Sequence, residues 1–68
     1  SASLRLGAEA ALLAKDAQAT DLLVPGFLDS HPDRVLLVRY IRDLQRRGRS
    51  DLVELWTQKW RDLVRRQK

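Results

Sequence analysis

The sequence contains no cysteine and no methionine, and it has a single histidine, His31. Without cysteine, the 68-residue chain can form neither a disulfide nor a thiolate zinc site. One histidine does not make a metal site alone. We therefore expect no metal and no cofactor, and we expect the packing of apolar side chains to supply the stability.

Glycine is scarce, and Gly7, Gly26 and Gly48 stand too far apart to form a glycine-rich loop that binds phosphate. His31 lies beside Pro32 at a predicted helix start, where no serine or carboxylate has the spacing of a catalytic partner. Charged residues also interrupt every apolar stretch before it reaches the length of a membrane span. The sequence therefore predicts neither an enzyme nor a membrane protein.

The length of the chain suits one small domain, because 68 residues form a core that is only just large enough to hold them folded. We expect a single domain over residues 1–68. The chain has no initiator methionine and no basic-then-apolar leader. We therefore expect it to be excised from a longer protein that is intracellular, either cytoplasmic or nuclear.

The charge is distributed unevenly along the chain. Residues 1–31 hold two basic and four acidic side chains, a formal charge of −2. Residues 32–68 carry a formal charge of +6, so the net charge of the chain is +4. A basic C-terminal half favours acidic partners, which are either a phosphate backbone or a carboxylate-rich protein.

Apolar periodicity predicts an all-α bundle of three main helices. The first covers residues 4–19 after Ser3 as N-cap, the second follows Ser30 as N-cap, and the third follows Ser50 as N-cap. Between the first two lies "TDLLVPGFLDSHP", a connector with five large apolar side chains. We expect this connector to pack across the core, with a possible short extra helix at 21–24 or 25–28.

The stretch "RRGRS" separates the second and third predicted helices. Arg46 and Arg47 fall where cations meet the negative end of a helix dipole, and Gly48 suits the left-handed residue that follows a helix. A turn is therefore the favoured interpretation. The alternative is a cationic grip for nucleic acid.

The second predicted helix is more apolar than a surface helix needs to be. We expect it to bury Val35, Leu37, Val38, Ile41 and Leu44, which leaves Leu36 and Tyr40 on its flank. The hypothesis is that Leu36, Tyr40 and Trp56 form a shallow groove for an amphipathic peptide or partner helix. Arg39 and Arg42 would favour acidic flanks on that peptide. A homodimer through the second helix is the other use of its exposed leucines.

Nucleic-acid binding is the alternative function. A helix-turn-helix with the third helix as reader is disfavoured, because Asp51 and Glu54 at the start of that helix would repel DNA. A basic side of the second helix remains possible, and its candidate residues are Arg39, Arg42, Arg46, Arg47 and Arg49.

The segment "DRVLLVRYIRDLQRRGRSDLVELWTQKWRDL" resembles two families of small helical adaptor. It is similar to the helical hairpin in the C-terminal domain of the Y-family translesion polymerase scaffold, with the matching residues Asp33, Val38, Tyr40, Asp43, Leu44, Leu55 and Leu63. "VRYIR" followed by "KWRDLV" also resembles the TFIIS N-terminal, or LW, domain. Both resemblances cover about half of the chain, residues 33–64. They imply a bundle that docks short peptides in nucleic-acid-processing assemblies.

Overall fold

The computed structural model describes residues 2–66, and these residues form four α-helices and no strand. The helices are α1 (Ala2–Leu13), α2 (Ala17–Ser30), α3 (Arg34–Arg46) and α4 (Ser50–Arg66). The all-α prediction is confirmed. The prediction of three main helices and a connector is only roughly right, because the predicted connector is part of a full helix.

The first predicted helix, over residues 4–19, is in fact divided between α1 and α2. Lys15 adopts the left-handed conformation, with φ of 55°, and the N–H of Asp16 donates to the carbonyl of Ala11 at 3.1 Å. This pattern of hydrogen bonds ends a helix. Asp16 then caps α2, since its carboxylate accepts from the N–H of Ala19 at 3.1 Å. Ser3, predicted as a cap, lies inside α1.

Helix α2 continues through Pro25, where the sequence predicts a break. Proline in a helix costs about 3 kcal/mol because it removes a hydrogen bond and crowds the preceding turn. Val24, Phe27 and Leu28 are buried around it. At roughly 1.5–3 kcal/mol for each large apolar side chain, their burial outweighs that cost. The predicted packing of this segment is therefore right for these three residues and wrong for Leu22, which is 76% exposed. The segment is also part of a full helix, where at most a short one was predicted.

The N-cap of α3 lies three residues after Ser30, which was predicted to cap this helix. Ser30 is the last residue of α2, and Asp33 is the N-cap of α3, where it accepts from the N–H of Leu36 at 3.1 Å. The same carboxylate accepts from Nε of Arg5 at 2.7 Å, so it also ties α1 to the start of α3. Asp33 is more favourable than Ser30 as a cap because its charge also meets the positive end of the helix dipole.

The turn between α3 and α4 confirms the interpretation of Gly48 as a helix stop. Gly48 has φ of 73°, and its N–H donates to Gln45 while that of Arg49 donates to Leu44. This pair of bonds is a Schellman motif. Helix α4 starts at Ser50 itself, because the N–H of Val53 donates to the carbonyl of Arg49. Ser50 is thus the first helical residue and not the predicted cap.

The core lies where the four helices meet, and α3 supplies more of its large side chains than any other helix. Helix α3 is rotated relative to the prediction: Val35 and Val38 are exposed, whereas Leu36 and Tyr40 are buried. On α4, Trp56 is buried and Leu55 is exposed. The buried apolar residues are Ala8, Ala11, Val24, Phe27, Leu28, Leu36, Leu37, Tyr40, Leu44 and Trp56.

Gly48 and Gly7 have different backbone conformations, so we expect alanine to change the free energy of unfolding in opposite directions at the two positions. Gly48→Ala should lower the free energy of unfolding by about 1 kcal/mol, because its φ of 73° is unfavourable for a residue with a Cβ. Gly7→Ala should raise it by about 0.5–1 kcal/mol, because the new Cβ in mid-helix meets only Leu23 Cδ1 at 3.9 Å. Urea denaturation measures both, and equal signs would contradict the turn geometry.

Replacing Thr20 should stabilise the fold. Its side chain is buried, and its hydroxyl has no hydrogen-bond partner among residues 2–66. Thr20→Val keeps the shape and removes the unpaired oxygen, so we expect about 1 kcal/mol of added stability. Thr57→Val is the control, since the Thr57 hydroxyl donates to the Val53 carbonyl at 2.8 Å. A gain for Thr57→Val equal to that for Thr20→Val would contradict this explanation.

Candidate binding groove

The apolar half of the predicted groove is not available to a partner. Leu36, Tyr40 and Trp56 have exposed fractions of 0%, 1% and 4%. The ring of Tyr40 packs edge-on against that of Trp56, with 5.9 Å between the centroids, and Lys59 Nζ lies 4.6 Å above the Trp56 ring. The hypothesis that these three side chains form a surface groove is therefore wrong. Leu36 and Tyr40 face the core because α3 is rotated relative to the prediction.

Arg47 is not part of the predicted basic surface, because its guanidinium is bound by two carboxylates. Its Nη1 and Nη2 donate to the two carboxylate oxygens of Asp21 at 3.0 and 2.9 Å, and its Nε donates to Asp43 at 2.9 Å. The Tyr40 hydroxyl donates to the same Asp21 carboxylate at 2.9 Å. A two-point Arg–carboxylate pair of this kind is strong and geometrically specific. Arg47 thus joins α3 to α2 and is not free for a ligand.

The protonation of this cluster follows from its hydrogen bonds. The Arg47 guanidinium holds the pKa of Asp21 below its ordinary value, and the Tyr40 hydroxyl acts in the same direction. Burial, together with the nearby Asp21 carboxylate, raises the pKa of Tyr40 above its ordinary value. Asp21 is therefore ionised and Tyr40 protonated at neutral pH.

The remaining candidate arginines differ in how far their charge is balanced. Arg46 donates to Asp43, and Arg49 lies 3.4 Å from a carboxylate oxygen of Asp51. Arg39 and Arg42 are exposed and form no ion pair with any residue in the described part of the chain. The unbalanced positive charge of α3 is thus carried by these two side chains and by Arg34 at its first position.

Arg39 and Arg42 border an open groove of about 350 Å³ between the end of α1 and the outer side of α3. Leu12 and Leu13 supply its apolar part, and the Leu13 side chain is 78% exposed. The other lining residues are Glu9, Lys15, Asp43 and Arg46. We call this site the arginine groove.

The arginine groove has a net positive lining. Its four basic side chains face two carboxylates, and both carboxylates have other commitments: Glu9 pairs with Arg5, and Asp43 with Arg46 and Arg47. An anionic group entering the groove therefore meets Arg39 and Arg42 without having to displace an existing ion pair. Exposed leucine beside unpaired arginine suits an acidic and partly apolar ligand.

Sequence reasoning identified Arg39 and Arg42 but missed Leu12, Leu13 and Lys15. The available signal was the pair of adjacent leucines followed by "AKD". Two neighbouring residues on a helix point about 100° apart, so a helix packed on one side buries one of them and exposes the other. Extending the first helix to residue 19 concealed this, because Leu13 then falls in mid-helix and not at a helix end.

The described residues contain neither a metal site nor a helix able to cross a membrane. Residues 2–66 contain no group of three or more His, Cys, Asp or Glu side chains placed to hold a metal ion. The ring of His31 stacks on Phe27 with 5.1 Å between centroids. Among the helices described, none combines the length and the apolar character that crossing a membrane requires.

Comparisons of the chain with protein-family models, with curated proteins and with solved structures found no match. The resemblances of residues 33–64 to two adaptor families therefore remain predictions.

Removing the Asp21 carboxylate tests the ion pair that defines this surface. Asp21→Asn should lower the free energy of unfolding by roughly 1–3 kcal/mol at neutral pH, because it leaves the mostly covered Arg47 without its main partner. Asp62→Asn is the control, since Asp62 is exposed on α4 without an ion pair in residues 2–66.

The difference between wild type and Asp21→Asn should depend on pH. Because the folded pKa of Asp21 is lowered, its contribution to stability is complete above the unfolded value of about 3.9 and is lost as the pH falls through the folded value. Denaturation at several pH values should show the two proteins converging below about pH 4. A constant difference from neutral to acidic pH would contradict this role.

Proposed function

We propose that this chain is a non-enzymatic docking module that binds an acidic, amphipathic peptide or partner helix in the arginine groove. The observation that carries the proposal is the placement of exposed Leu13 beside the unpaired Arg39 and Arg42. Leucine side chains of the peptide would cover Leu12 and Leu13, and its carboxylates would face the two arginines.

The groove favours an acidic peptide over nucleic acid. Of the five arginines considered for phosphate binding, Arg47 is held by Asp21 and Asp43, while Arg46 and Arg49 each lie beside an aspartate. A phosphate backbone would gain little from the exposed Leu13, whereas an amphipathic peptide would bury it. Nucleic acid is therefore the second candidate ligand, and the binding experiment must distinguish it from the acidic peptide.

The charges and the leucines have different roles in the proposed complex. Burial of Leu13 and of the apolar side chains on the peptide supplies most of the affinity. Arg39 and Arg42 attract acidic sequences, speed their capture and reject basic ones. The resemblances noted for residues 33–64 imply a place in an intracellular nucleic-acid-processing assembly, and we include that setting in the proposal.

The direct test is binding of a fluorescein-labelled, helix-forming peptide with leucines on one face and glutamates on both flanks. Arg39→Gln combined with Arg42→Gln should weaken binding about tenfold, since it removes the two unpaired arginines that line the groove. Leu13→Ser should weaken it to a similar degree through lost apolar contact. Fluorescence anisotropy measures each dissociation constant, and circular dichroism checks that each variant is folded.

The matched control removes two exposed arginines from α4, outside the groove. Arg61→Gln combined with Arg65→Gln, on α4, gives the same change in net charge and should alter affinity less than about twofold. Equal weakening by the two double variants would contradict the site. Tighter binding of a DNA duplex than of the peptide, with an affinity that falls steeply with salt and is insensitive to Leu13→Ser, would establish the nucleic-acid function instead.

A further inference from the structure

A second apolar surface lies on the α1–α2 side of the molecule, and it does not depend on the arginine groove. Its open cavity of about 240 Å³ is lined by residues of α1, α2 and the turn after α2. Among its large apolar residues, Leu22 and Leu4 are the most exposed, at 76% and 56%. The α1–α2 patch, as we name it, consists of Leu4, Leu22, Leu23, Gly26, Phe27, Ser30 and His31.

The α1–α2 patch differs from the arginine groove in its charge. Its lining contains no aspartate, glutamate, lysine or arginine. The only ring with polar atoms is His31, which lies flat against Phe27, with an angle of 18° between the planes. A strongly charged partner would therefore find no counter-charge here. The surface fits an apolar, uncharged face.

We propose that the α1–α2 patch pairs two copies of this chain in a twofold-symmetric dimer. In such a contact each patch meets an identical patch, so a patch with a net charge would face the same net charge. An uncharged lining avoids this repulsion, whereas the net positive lining of the arginine groove would face its own copy.

The distribution of charge over the whole chain supports the same pairing. Residues 1–31, which supply the entire patch, carry a formal charge of −2, and residues 32–68 carry +6. Contact through α1 and α2 brings together the halves with little charge and leaves the strongly basic halves outside the interface. Contact through α3 or α4 would bring the basic halves together, at an electrostatic cost.

Gly26 lets the two copies of α2 approach closely. It is exposed beside Leu22, one turn away, and a Cβ built at Gly26 has no atom within 4 Å. The helix backbone is therefore bare at this position, and Leu22 of the second copy can lie against it. The α1–α2 patch and the arginine groove share no lining residue.

Sedimentation equilibrium of the 68-residue chain, from about 10 µM to about 1 mM, tests the dimer. The wild type should move from monomer to dimer mass across this range. Leu22→Glu should remain monomeric throughout, because it places two carboxylates opposite each other in the symmetric contact. Leu55→Glu is the control, since it makes the same change at an exposed leucine of α4 and should dimerise like the wild type.

Three results would overturn the proposal: a wild type that stays monomeric up to about 1 mM, a folded Leu22→Glu variant that dimerises unchanged, or equal loss of dimer in Leu55→Glu. Masses that grow beyond the dimer would overturn the twofold contact, because a closed symmetric pair cannot extend. Circular dichroism verifies that both variants keep the helical content of the wild type.

Discussion

The Arg47–Asp21 ion pair is the interaction on which the arrangement of α2, α3 and α4 depends. Arg47 stands at the C-cap of α3, and its guanidinium reaches α2 with two hydrogen bonds to Asp21. The same carboxylate fixes the Tyr40 hydroxyl, and the Tyr40 ring in turn meets Trp56 of α4. This chain of contacts sets the rotation of α3. It turns Leu36 and Tyr40 inward and leaves Val35, Val38, Arg39 and Arg42 outside.

The arginine groove is a consequence of that rotation combined with the early end of α1. Arg5 holds α1 to the start of α3 through Asp33, and α1 stops at Leu13, where Lys15 turns the chain. Leu13 is thereby left exposed beside the outer side of α3. The molecule then presents two different surfaces: an apolar, uncharged patch on α1 and α2, and a basic groove between the end of α1 and α3. One small core thus supports two surfaces suited to different partners.

The sequence predicted those features that depend on residues near each other in the chain. Gly48 as a helix stop and the all-α character both follow from the local sequence, and the structure agrees. The errors arose where distant residues decide. Pro25 lies inside a helix because three buried neighbours offset its cost, and α3 is rotated because Tyr40 and Arg47 both bind Asp21. Lys15, at a φ that usually favours glycine, gave no local signal for the end of α1. The candidate site was therefore predicted for its arginines and missed for its leucines.

The location of a bound acidic peptide can be measured most directly from backbone amide chemical shifts during a titration of the isotopically labelled chain. If the arginine groove is the docking site, the largest shifts will fall in residues 9–15 and 39–46, with small changes in α4. Shifts centred on the basic end of α4, or shifts spread evenly over all exposed basic residues, would contradict a docking site in this groove.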